Sequence, residues 1–179
     1  MADVIRDLQR DHANIALLLD MVEDHVRVFE EGGVPDFDLL EHMVDYFLDY
    51  PDSVHHPKED LVLEKLRARD PLAADAVGDL ATEHTEIGES TRKFAAALET
   101  VLQDAEMPRE TFPRAAREFV VRLREHMNME DTQFLPAAER ALTAQDWEDV
   151  ARAFGERADP LFSERAEQRF DALRNYLFG

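Results

Sequence analysis

Four stretches of this chain carry apolar residues at alternating three- and four-residue intervals, and strand-like alternation is absent. Such a chain can bury its hydrophobic surface only by packing helices side by side. The first seam reads Ile5, Leu8, His12, Ile15, Leu19, Val22, Val26 and Phe29, and Gly32-Gly33-Val34-Pro35 closes it. The second runs from about Asp38 to Arg69. Leu40, Met43, Phe47, Tyr50 and Val54 share one register; His55, Glu59, Val62 and Leu66 continue in a register displaced by one position. Pro51 and Pro57 sit around that slip, and an interior proline removes a helical hydrogen bond, so a local bulge is expected there. Asp70-Pro71 caps and opens a third helix with the seam Val77, Leu80, His84, Ile87, Thr91, Phe94, Leu98 and Val101. The turn from Asp104 to Pro108 leads to a fourth, with Phe112, Ala116, Phe119, Leu123, His126, Glu130 and Phe134 inward and Pro136 near its end.

Short connections make neighbouring helices antiparallel, which predicts an all-α fold: an up-down-up-down four-helix bundle over residues 1–140. Residues 141–179 are expected to form a C-terminal helical extension packed on the same domain. Thr143 caps a helix over Ala144–Ala158, and Asp159-Pro160 begins another reaching about Leu177. Trp147, Phe154, Phe162, Phe170 and Phe178 are expected to bind this appendage to the bundle; alternatively they form a homodimer surface. A length of 179 residues suits one well-buried core.

Composition removes several function classes. The chain has no cysteine, so disulfides, thiolate metal sites and cysteine nucleophiles are excluded. Its net charge of −20, with no basic cluster, disfavours nucleic acid and anionic membrane surfaces as partners. No apolar run is long enough for a transmembrane helix, and the start lacks the basic and apolar regions of a secretory signal. A cytoplasmic location is expected.

The chemistry is carried by polar residues in apolar seams. His12, His84 and His126 each stand where Leu or Ile would ordinarily sit. His55-x3-Glu59 and His126-x3-Glu130 each put an imidazole and a carboxylate one turn apart on one helix face, where they can chelate a metal. That spacing is unspecific in so acidic a chain. Depth makes it specific: counted from the connections, His12, the His55–Glu59 pair, His84 and His126 agree in level to within two residues, about 3 Å of helix rise. Burying so many polar rings with no shared partner would cost about 1–3 kcal/mol for each unpaired group. Imidazole with carboxylate suits Fe, Mn or Zn alike. The ferritin-like pattern of Glu-x-x-His on two helices is absent, since Glu83-His84 and Glu125-His126 are adjacent pairs. His25 and His42 face away from the seams and read as solvated; Tyr46 and Tyr50 read as core-edge tyrosines within reach of the site.

The order His12, His55-His56-x2-Glu59, His84, His126-x3-Glu130 resembles the hemerythrin-like (HHE cation-binding) domain over roughly residues 3–138. His-His-Pro-Lys-Glu-Asp and His-Met-Asn-Met-Glu-Asp-Thr-Gln-Phe-Leu-Pro are similar to its two signature helices. The resemblance implies a di-iron centre with oxo or hydroxo bridging, for which Zn or Mn can substitute. It implies His12, His55, Glu59, His84, His126 and Glu130 as metal ligands, with Glu59 and Glu130 as bridges. Hemerythrins proper carry a second histidine one turn after the first on the third helix, where this chain has Gly88, or Leu80 if His84 is itself the second. His56 restores five histidines if it turns inward. A site lacking it would be one ligand short, favouring redox chemistry or sensing over dedicated oxygen carriage. The implied function is binding or sensing of O2, NO or a similar small ligand, with peroxide decomposition or NO reduction as the enzymatic alternative.

Overall fold

The computed structural model describes residues 2–104, 106–155, 159–163 and 167–179. All regular structure among them is helical. Helix α1 spans Ala2–Glu30, α2 Phe37–Tyr50, α3 His56–Arg69, α4 Pro71–Val77, α5 Leu80–Leu102, α6 Thr111–Met129, α7 Leu135–Ala141, α8 Ala144–Phe154 and α9 Asp171–Phe178. Helix α1 packs on α2 and α6, and α5 packs on the same two helices from the other side, giving a helical bundle around one axis. None of these helices is long and apolar enough to cross a membrane.

Two π turns, Pro51–His55 and Glu130–Phe134, join α2 to α3 and α6 to α7 as continuous rods. In the first, the His56 N–H donates to the Pro51 carbonyl five residues back; in the second, the Leu135 N–H donates to the Glu130 carbonyl. A π turn takes up one extra residue and rotates all that follows. This is the physical form of the register slip at Pro51 and Pro57, and it buries both His55 and His56 although adjacent α-helical residues diverge by about 100°. The second π turn has no counterpart in the sequence expectation.

The predicted third helix is broken in two. Gly78 adopts a φ of 95°, a left-handed value that favours glycine, and Asp79 restarts the chain by accepting a hydrogen bond from the Thr82 N–H. The helix predicted to start at Asp159-Pro160 is likewise corrected. Asp159 instead accepts from the Leu161 and Phe162 N–H groups, and the helix begins only at Asp171 after one 3-10 turn at Gln168–Phe170. The end of the helix predicted over Ala144–Ala158 lies outside the described residues, as does 164–166; α8 itself ends at Phe154 before Gly155. It carries the expected cap, with Thr143 and Asp146 bonded reciprocally.

The C-terminal aromatics behave unequally. Trp147 is buried with Val62, Leu63 and Leu66 of α3, and Phe170 is buried in the main core against Tyr46. Phe162 is half-buried, and Phe178, 60% exposed, meets Phe162 edge-on within the appendage.

Two hydrophobic clusters fill the interior. One holds Ile15, Leu19, Phe47, Ile87, Phe94 and Phe119; the other holds Leu8, Val62, Leu66, Leu80, Phe134 and Trp147. Along α1 the change from one cluster to the other falls at His12, along α5 at His84, and along α6 and its π turn at His126 and Glu130. A polar slab therefore divides the core at one level.

Candidate metal centre

His12, His55, His56, Glu59, His84, His126 and Glu130 are all buried, and the structure brings all seven together in that slab. They form two groups: His56, Glu59, His84 and His126, and His12, His55, Glu59 and Glu130. Within each group the donor atoms lie within 4.8 Å of one another. Glu59 belongs to both. Glu130 reaches across as well, with Oε1 3.2 Å from His126 Nε2 and Oε2 3.3 Å from His12 Nε2. His12 Nε2 also lies 3.4 Å from Glu59 Oε1, and His55 Nε2 lies 3.2 Å from the same oxygen.

These distances are ionic contacts without hydrogen-bond alignment. Both oxygens of Glu59, both of Glu130, and the Nε2 atoms of His12, His84 and His126 are buried with no hydrogen-bond partner. Native proteins rarely leave such atoms unpaired. Among the described residues only Trp147 Nε1, in the second cluster, is orphaned outside this constellation. Convergent, unpaired nitrogens and carboxylate oxygens at this spacing fit a cation shared between them. They do not fit a core in which histidines bond one another.

His56 answers the question raised by Gly88. Its ring stacks on His84 at 4.0 Å between centroids, so the π turn delivers the fifth imidazole from the second rod. Gly88 stands beside Asp52 and Arg92, and a Cβ there would approach Asp52 Oδ2 to 3.4 Å. The missing side chain leaves room for the Asp52 carboxylate that holds His56.

In the bare protein the buried carboxylates are balanced by the imidazoles around them. Burial alone makes His12 less basic, but Asp131, Glu130 and Glu59 outweigh it and push its pKa up to about 12. His55 is raised to about 9 because Glu59 and Asp11 outweigh its burial. Burial and the neighbouring Glu130 would raise Glu59, yet His55 and His12 hold it at about 2. Glu130 is depressed in the same way by His12, His126 and His84 against the cost of its burial. Protons on the imidazoles thus neutralise two buried carboxylates, a task that a bound cation performs with more charge. His56 runs the other way: burial lowers its pKa and keeps its ring neutral, as a ligand must be.

The sequence reading missed the outer carboxylates. His12 Nδ1 lies 3.0 Å from Asp131 Oδ1, His55 Nδ1 3.4 Å from Asp11 Oδ2, His56 Nδ1 3.1 Å from Asp52 Oδ1, and His126 Nδ1 2.9 Å from Glu83 Oε2. His84 Nδ1 lies 3.2 Å from Asp60 Oδ1 but out of line for a hydrogen bond. Four of these acids are sequence neighbours of a ligand-type residue, which is the signal that could have found them.

Tyr46 and Tyr50 are buried, not at the core edge. They stack on each other, and Tyr50 donates to Asp11 while Tyr46 donates to Asp159. His25 and His42 lie outside the constellation as expected but are half-buried, and His25 Nδ1 bonds the Met21 carbonyl. A cleft of about 450 Å³ meets the site at the His56–His84 edge, and one of about 260 Å³ meets it at His126. The larger groove of about 830 Å³ between Phe29, Arg109 and Val121 holds none of these residues.

No curated protein matches the chain. A family model described as the Hemerythrin HHE cation binding domain matches residues 3–138. That span takes in all four seams and every member of the polar slab, and the chain belongs to the hemerythrin HHE cation-binding family.

Proposed function

We propose that the chain is a non-haem di-iron protein that binds or senses O2, NO or a similar small ligand through redox cycling of its metal centre. In this reading residues 1–140 are an up-down-up-down four-helix bundle, residues 141–179 are a helical appendage packed on it, and the protein works in the cytoplasm. The observation that carries the proposal is the set of unpaired Nε2 and carboxylate atoms converging from every rod. His56, His84 and His126 would hold one iron and His12 and His55 the other, with Glu59 and Glu130 bridging both. Iron bound there would supply reversible electron storage and the positive charge that stabilises reduced oxygen species.

The protein's own residues do the rest. Glu59 and Glu130 fix the spacing of the two positions and neutralise their charge. Three imidazoles serve one position and two the other, so the poorer position can take an exogenous ligand. Ile15, Leu19, Ile87 and Phe119, all buried beside the slab, exclude water from that side. With His56 turned inward the histidine shortage disappears, and with it the main sequence reason for setting oxygen carriage aside.

The second reading, peroxide decomposition or NO reduction, draws support from the clefts that bring solvent to the His56–His84 edge and to His126. The two separate on the iron-loaded protein. Spectra that return to the starting form when oxygen is removed support carriage or sensing. Sustained oxygen release from hydrogen peroxide, with turnover lost in His126→Ala, supports the enzyme.

A further inference from the structure

The outer carboxylates are arranged as a closed circuit around the bundle. Asp131, beside Glu130 at the end of the α6 rod, bonds His12 of α1. Asp11, beside His12, bonds His55 of the second rod. Asp60, beside Glu59 on that rod, faces His84 of α5. Glu83, beside His84, bonds His126 of α6 and closes the loop. Asp52 adds a fifth contact within the second rod, to His56.

A carboxylate only accepts hydrogen bonds, so Asp131, Asp11, Asp52 and Glu83 each place the imidazole proton on Nδ1 and leave the Nε2 lone pair facing inward, whereas Asp60 contributes its charge beside His84. The circuit also surrounds the centre with negative charge beyond that of Glu59 and Glu130. That charge acts more strongly on a trivalent ion than on a divalent one. Its members are not equal. Asp131, Asp60, Asp52 and Glu83 have side chains 40–49% exposed, where water screens them, whereas Asp11 is buried at 2%. Asp11 Oδ2, the oxygen that faces His55, also accepts from the Tyr50 hydroxyl, which fixes its position.

Resting on the metal-centre reading above, we propose that Asp11, Asp52, Asp60, Glu83 and Asp131 are positioning residues that set the centre's preference for the trivalent over the divalent metal ion, with Asp11 the strongest.

The test uses the full chain loaded with iron, in five neutral isosteres: Asp11→Asn, Asp52→Asn, Asp60→Asn, Glu83→Gln and Asp131→Asn. Each keeps an oxygen able to accept from Nδ1. Iron per chain is counted first, and the midpoint potential is then measured by spectroscopic titration. The expected result is an unchanged iron count with a potential shifted upward in every variant. For Asp11→Asn the shift should correspond to about a tenfold loss in ferric-over-ferrous affinity ratio, the low end of what outer partners cost in metal affinity. The half-exposed positions should give smaller shifts. Glu41→Gln and Asp45→Asn, exposed acids off the circuit, should leave the potential in place. Unchanged potentials in all five variants, or equal shifts in these two controls, overturn the proposal and leave the metal site standing. A parent protein that retains no iron overturns both. Should Asp11→Asn fail to fold, the Asp131→Asn and Glu83→Gln potentials decide alone.

Discussion

Glu59 is the residue at which the two ligand groups meet, and Glu59→Gln is the perturbation that separates a shared metal centre from a merely polar core. The substitution keeps shape and removes the carboxylate that lies 3.2–3.6 Å from the Nε2 atoms of three histidines. A ligand at a hundred times its dissociation constant stabilises the folded state by about 2.7 kcal/mol per site, or about 5 kcal/mol for two. In a chain of this size that raises the melting temperature by about 10–20 °C. If losing a bridging carboxylate weakens each position by about a hundredfold, the same metal concentration stabilises by only RT ln 2, about 0.4 kcal/mol per site, and the rise falls to about 2–3 °C. The assay is thermal unfolding followed by circular dichroism, with and without ferrous iron under anaerobic conditions, on parent and variant. A variant that gains as much from iron as the parent would refute the idea that both positions depend on one residue.

Further outcomes follow from the same geometry. His126→Ala and Glu130→Ala should each lose iron, whereas His25→Ala and His42→Ala should retain it, as read by elemental analysis after desalting. The metal-free protein should lose stability as pH rises from about 6.5 through 9, because His55 titrates near 6.5 when unfolded but at about 9 when folded, and its contribution is complete only below the lower value. The metal-loaded protein should reverse that slope, since protons compete with the metal for imidazole; urea midpoints across this range check the sign. Tyr46→Phe should destabilise by about 1–3 kcal/mol by removing a donor from buried Asp159, with no change in iron content. Urea denaturation beside metal analysis tests both halves of that statement.

What the sequence made legible follows from which features leave a periodic trace. His12, His84 and His126 stand in apolar seams at matching depth, and that alone predicted a polar slab across the core. The first π turn announced itself through Pro51, Pro57 and a register slip. The second, at Glu130–Phe134, leaves Glu130 and Phe134 at the four-residue spacing of an α-helix; Pro136 stands after it as Pro57 stands after the first, but without a register slip it reads only as the approach of a helix end. The break at Gly78 was hidden for a similar reason, because Val77 and Leu80 keep the seam intact across it. Asp159 looked like a helix cap followed by proline; its carboxylate is instead used by the loop N–H groups and by Tyr46, a partner 113 residues away that no local pattern reports. The outer carboxylates were lost among 40 acidic residues, since adjacency to a ligand means little until the rods are placed side by side.

Two metal positions shared by imidazoles and carboxylates from every rod would hold two irons per chain. Iron counted per chain, after anaerobic loading with ferrous ion and removal of the excess, tests this most directly. Two irons per chain in the parent, falling below one in Glu59→Gln, is the predicted result. A parent chain that emerges without iron, with its histidines still buried, would contradict the claim.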